Sequence, residues 1–214
     1  MTLLEPDVAL TDFALALEAG CFAAWLAWRY ALDAPLRLPF VGFFAAVALA
    51  ALLGGIAHGF LPDEQARLYR VVWLSTLIAI GVAALASWAI GARLIFGERT
   101  TGRVTAFAAL LFGAYVVAVV FVSQSFAVAI VHYLPAAAFL LFAFAYAWRR
   151  RRLDFLAAGI AGVALTFVAA AVQHGRIGLH PRYFNHNALY HLIQAFALLL
   201  IFLAARGLLK PAAR

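Results

Sequence analysis

Seven apolar runs, each about as long as a bilayer is thick, restrict this chain to one kind of fold. They cover roughly 8–30, 37–60, 69–95, 104–123, 126–148, 153–175 and 184–208. About 20 apolar residues let an α-helix cross the hydrocarbon core. In lipid, every backbone polar group must find its partner within the protein, which favours helices. The expectation is an all-α polytopic membrane protein, a single seven-transmembrane-helix bundle over residues 1–214 with no soluble domain. Mean hydropathy of +1.00 and a charged fraction of 12% exclude the mixed polar surface of a soluble domain. Gly, Pro or charged residues mark most joins: Asp33-Ala34-Pro35, Leu61-Pro62-Asp63-Glu64, Gly97-Glu98-Arg99, Arg149 to Arg152, and Gly178 to Pro181. The stretch 104–148 is too long for one span at about 1.5 Å per residue, so it is expected to turn at Ser123-Gln124-Ser125.

The formal charge of +7 does not indicate nucleic-acid binding, because the basic residues sit in short joins between apolar runs. There they act as topology signals. With the N-terminus outside, twelve basic residues fall on the inner side: Arg29, Arg37, Arg93, Arg99, Arg103, Arg149 to Arg152, Arg206, Lys210 and Arg214. Four remain outside: Arg67, Arg70, Arg176 and Arg182. This predicts N-out, C-in. Trp25, Trp28, Trp88 and Trp148 then lie near the inner interface and Trp73 near the outer one, as an aromatic belt does. One lysine against fifteen arginines, with abundant alanine, suggests a GC-rich bacterial genome and so a bacterial inner membrane. The N-terminal Met1 to Asp7 has no basic residue, so the first helix is expected to be retained rather than cleaved. The single cysteine, Cys21, rules out an internal disulfide.

On this topology all six histidines lie on the outer side: His58, His132, His174, His180, His186 and His191. Asp12, Ser75, Thr76 and Gln173 share that layer, and Glu18 lies about two turns deeper than Asp12. Ionisable groups in spans are costly and mark functional sites by default. Buried histidines also bridge helices with no further role, and Asp12, near the start of span 1, suits a carboxylate favoured by the helix dipole. Glu18, towards the bilayer middle, has no such account. The arginine run at 149–152 reads as an anchor on anionic lipid.

Asn187, His191 and Gln194 are spaced i, i+4, i+7 and form one stripe of span 7, with His186 and Tyr190 on a second stripe about 100° away. Span 2 ends Gly54-Gly55-Ile56-Ala57-His58-Gly59, and these glycines are expected to admit span 7 closely enough for His58 and His191 to share a ligand. A metal needs three or four ligands from separate segments. His58 and His191 with His174, His180 or His186 supply a candidate set. Zinc held there would lower the pKa of its water towards ~7. Asp12 or Glu18 would serve as the general base of catalysis or hold a ligand in place. Asn187, Gln194, Tyr190, Ser75 and His132 are the candidates for substrate or supporting contacts.

Seven spans, a histidine near the outer end of span 2, and Asn187-Ala188-Leu189-Tyr190-His191 opening span 7 resemble the alkaline ceramidases. Those belong to a wider group of seven-helix membrane hydrolases that includes the adiponectin and progestin receptor family. The resemblance implies a zinc ion held by a helix-2 histidine and by His-x-x-x-His at the start of helix 7, matched here by His58 and His191. The chain departs from the pattern at Asn187, which stands where the first histidine of the pair would be, with His186 one step away. It departs again at Gly54, in place of the group's serine. The group's aspartate has no clear partner: Asp63 is too close to His58, and Tyr69 stands nearer the expected distance.

The leading expectation is an integral membrane hydrolase acting on a lipid-like amide or ester at an outer-side site, with zinc as the cofactor and membrane lipids as the surroundings. The alternative is a non-enzymatic seven-helix protein that binds or senses a small ligand. Bis-histidine haem needs facing imidazoles, which His58 with His132, His174 or His191 would supply, but no second histidine layer exists for electron transfer across the membrane. A retinal Schiff base needs a lysine within a span, and Lys210 lies in the tail.

Overall fold

The structure, a computed structural model, describes residues 3–180 and 183–210. Seven helices follow one another: α1 (Pro6–Arg29), α2 (Arg37–Phe60), α3 (Arg67–Ile95), α4 (Glu98–Phe121), α5 (Phe126–Arg151), α6 (Asp154–His174) and α7 (His186–Leu209). All seven are long and apolar enough to cross a membrane, which makes the chain an integral membrane protein by length and composition. The 24 residues of α1 rise about 36 Å, against a hydrocarbon core of about 30 Å. Pro6 opens α1 where its missing N–H costs nothing. The expected turn lies at Ser123–Ser125, and the Ser125 hydroxyl caps α5 by accepting from the Ala127 N–H at 3.3 Å. At the far end of α5, Arg152 adopts the left-handed conformation that stops the helix, with φ 52°.

The helices close into a ring in the order α1, α2, α3, α5, α6, α7, with α7 returning to α1. α4 stands outside, packed mainly on α3. Its outer seam is made by Leu77, Tyr115, Val119 and Ala129, and the Tyr115 hydroxyl donates to the Leu77 carbonyl at 2.7 Å. The ring order corrects one expectation. α2 and α7 do not pack face to face; α1 lies between them. The glycines ending α2 admit α1 instead. A Cβ on Gly55 would stand 2.7 Å from the Phe13 ring, and one on Gly59 would stand 3.1 Å from the Ala9 methyl. Lipid gives no hydrophobic drive between helices, so small residues that bring backbones together set the neighbours.

The two ends of the ring are filled differently. Towards the C-terminal ends of α1, α3, α5 and α7 the interior is solid, with Leu26, Phe40, Phe43, Phe44, Ile90, Phe144 and Leu156 buried. Phe22 stacks on Phe202 there with centroids 4.1 Å apart. At the end that carries the N-terminus the ring is hollow.

Candidate functional site

The hollow is a cavity of about 360 Å³ lined by all six ring helices and by no residue of α4. That volume lies within the ~300–1,000 Å³ usual for small-molecule sites. Most of its wall is apolar: Leu15, Val47, Ile80, Ile130, Leu134 and Phe167 among others. Its polar groups are Asp12, His58, Thr76, Tyr133, Thr166, Gln173, Asn187, Tyr190, His191 and Gln194. Leu134 lines the cavity and is 47% exposed, so the chamber is open beside it.

Asp12 and His191 form the centre. Asp12 is 4% exposed. One turn and a half into α1, it reaches past Gly54, where any Cβ would stand 3.2 Å from its Oδ2. Its Oδ1 lies 3.2 Å from Nε2 of His191, and its Oδ2 is buried with no hydrogen-bond partner among the described residues. The other ring nitrogen of His191, Nδ1, lies 3.1 Å from the Thr11 hydroxyl. That hydroxyl donates back to the Asp7 and Val8 carbonyls, at 2.8 and 2.9 Å. Its single proton is therefore committed to backbone, and its oxygen is left to accept from Nδ1–H. Nε2 and Asp12 Oδ1 then need one proton between them, either on the imidazole or on the carboxyl.

His58 borders the cavity mouth. Its Nδ1 lies 3.6 Å from the Glu5 carboxylate, and its ring meets Trp73 edge-on. The segment before α1 straps this end together. Leu4 and Glu5 donate backbone N–H groups to the Gly59 and His58 carbonyls at 3.2 and 3.3 Å. Asp7 accepts the Asn185 N–H at 3.0 Å, and the Asn185 side chain in turn caps α7 through the N–H groups of Asn187 and Ala188. Deeper in the wall, Gln194 is 6% exposed, with its Oε1 unpartnered and its Nε2 3.5 Å from the Thr166 hydroxyl.

The stripe Asn187, His191 and Gln194 faces the cavity, and Tyr190 joins it. The remaining residues singled out from the sequence lie elsewhere. Glu18 is on α1 away from the cavity, with Oε2 buried and unpartnered. Ser75 bonds its own helix at the Val71 carbonyl, and the adjacent Thr76 takes the lining position. His132 stacks on Tyr115 of α4 at 4.2 Å, on the outside of the ring. His174 ends α6 exposed, and Gln173 lines the cavity instead. His186 is the first residue of α7 and lies outside the cavity wall. His180 is in the α6–α7 loop, where its Nδ1 accepts from the Tyr183 N–H at 3.1 Å. Thr166 and Tyr133 escaped the sequence reading. Their signal was periodic: Thr166, Ala170 and Gln173 recur at i, i+4, i+7 on α6, and Ile130, Tyr133 and Ala137 at i, i+3, i+7 on α5.

The zinc implied by the resemblance meets a poor fit in these side chains. Among the described residues no three His, Cys, Asp or Glu side chains converge to hold a metal ion. Both ring nitrogens of His191 are already engaged, by Thr11 and Asp12. What the arrangement offers without a metal is a buried carboxyl–imidazole pair opening on an apolar chamber. Residues 8–210 match the sequence profile described as "Family of unknown function (DUF6962)". No curated protein and no solved structure matches the chain.

Proposed function

The chain belongs to the DUF6962 family, and we propose that it is an integral membrane hydrolase of a lipid-like amide or ester, working in the bacterial inner membrane with its cavity towards the periplasm. The observation that carries this reading is the orphaned Oδ2 of Asp12, buried at the cavity wall beside His191. A buried carboxylate oxygen without a partner is costly unless a ligand or water completes it. In the proposed reaction Asp12 takes a proton from a water at Oδ2 while the water oxygen bonds to the substrate carbonyl carbon. The resulting carboxyl returns the proton to the leaving nitrogen or oxygen as its bond to that carbon breaks, giving an acid and an amine or alcohol. His191, held by Thr11, orients Asp12 and balances its charge. In this reading the Gln194 Nε2–H donates to the substrate carbonyl. An acyl chain would enter beside Leu134, which lines the cavity and is half-exposed.

The alternative, a non-catalytic small-ligand binder or sensor, draws support from a different observation. Thr11 is the hydroxyl in contact with the pair, and its proton is spent on backbone, so no side-chain nucleophile is activated. The test is hydrolysis of acyl amides and esters by purified, reconstituted protein, beside Asp12→Asn. The expected loss is on the order of 10²–10⁴-fold in rate. Metal content is measured on the same samples. Stoichiometric zinc that disappears with His191→Ala would return the reaction to metal chemistry. A lipid retained through purification but never cleaved by the wild-type protein would establish the binder.

A further inference from the structure

A second cleft, of about 720 Å³, opens at the opposite end of the bundle, between the end of α5, the start of α6 and the end of α7. It is lined by Arg151, Arg206 and Lys210 and by the apolar Leu153, Phe155, Leu203 and Leu208. Among the described residues no carboxylate belongs to its wall. Among the described residues none of the three cations forms an ion pair; the salt bridges found there join His58 to Glu5 and His191 to Asp12. Arg206 lies over the Trp25 ring at 5.0 Å, and its Nε is buried without a hydrogen-bond partner among the described residues. The neighbouring arginines are not in its wall: Arg150 lies over the Tyr146 ring at 5.4 Å and Arg152 over Trp148 at 4.6 Å. The run 149–152 is thus divided, and Arg151 is the member that lines the cleft. Gly207 leaves the space that the Phe155 ring fills, so the apolar floor and the cationic rim belong to one concavity.

We infer that this cleft binds an anionic phospholipid, with the headgroup phosphodiester on Arg151, Arg206 and Lys210 and an acyl chain along Leu203 and Phe155. Three cations without carboxylates attract an anion, and arginine forks match phosphate oxygens. The position at the helix ends is where a headgroup lies, and basic clefts between spans hold such headgroups. The apolar floor separates a lipid from free phosphate, which has no use for it. This site is independent of the cavity at the other end.

The experiment reconstitutes the protein in nanodiscs of equal parts phosphatidylcholine and phosphatidylglycerol, extracts it mildly, and weighs the retained lipids by native mass spectrometry. Wild-type protein is expected to retain phosphatidylglycerol selectively. Arg151→Gln with Lys210→Gln removes two exposed cations and leaves Arg206 packed on Trp25. It should cut that selectivity on the order of tenfold, with thermal unfolding in phosphatidylcholine alone unchanged. Arg150→Gln with Arg152→Gln removes the same charge outside the cleft and should leave selectivity intact. Equal losses in both doubles would reduce the effect to general surface charge and overturn the site. Displacement of the lipid by inorganic phosphate would overturn the lipid assignment in favour of a free-anion site.

Discussion

Thr11 bonds the imidazole of His191 and fixes the chemistry of the Asp12–His191 pair. Its hydroxyl proton is turned to the Asp7 and Val8 carbonyls, so its oxygen accepts from His191 and sets which ring nitrogen bears hydrogen. Thr11→Val keeps the shape and leaves a buried N–H unmet. It should cost ~1–3 kcal/mol of stability, read in thermal unfolding, and shift the ¹⁵N resonances of His191; Thr11→Ser should restore both. An unchanged imidazole spectrum in Thr11→Val would remove the residue from this role. Sequence gave the depth of Asp12, His58 and His191 and so suggested a shared layer. It did not give azimuth. Depth alone cannot tell that His132 turns outward onto Tyr115 while Tyr133, its neighbour, turns in. Nor does an acidic residue near a helix start reveal that it is buried against an imidazole 179 positions later in the chain, as Asp12 is against His191.

Element boundaries were legible because an apolar run of fixed length is a strong signal; even the short break at Ser123–Ser125 follows from length alone. Partners were not legible in the same way. A glycine in a span announces a close approach but not by which neighbour, and the glycines of α2 receive α1 rather than α7. The energetic weight of such a glycine depends on what faces it. At Gly162 a Cβ would meet the Ala197 carbonyl oxygen at 2.7 Å and the Ile201 nitrogen at 3.0 Å, both backbone atoms of α7 that no rotamer change can move. Gly162→Ala should therefore push α6 from α7 and destabilise by ~1–3 kcal/mol. Gly113 on α4 faces nothing within 4 Å. Gly113→Ala should be neutral or stabilise by up to ~1 kcal/mol through helix propensity. Both are read as unfolding midpoints in one detergent. The two variants behaving alike would contradict the tight α6–α7 seam.

At the scale of the whole molecule, the bundle has a hollow end and a solid end, and the two clefts sit at opposite poles. The ring order with α4 outside could not be read from the sequence, since faces turned to lipid and faces turned to helices are equally apolar. The direction of the bundle in the membrane, by contrast, is a sequence property. The solid end carries the joins with Arg29, Arg37, Arg93, Arg99, Arg103 and Arg149 to Arg152, together with Arg206 and Lys210 near the end of α7. The hollow end carries Arg67, Arg70 and Arg176 among the described residues. Short loops rich in arginine stay cytoplasmic because moving them across the membrane is opposed during insertion. A reporter fused in the Arg149–Arg152 join is accordingly expected to score cytoplasmic, and one fused at Asp63 or Glu64 to score periplasmic. The reverse pattern would put the Asp12–His191 cavity on the cytoplasmic face. The substrate would then have to come from the inner leaflet.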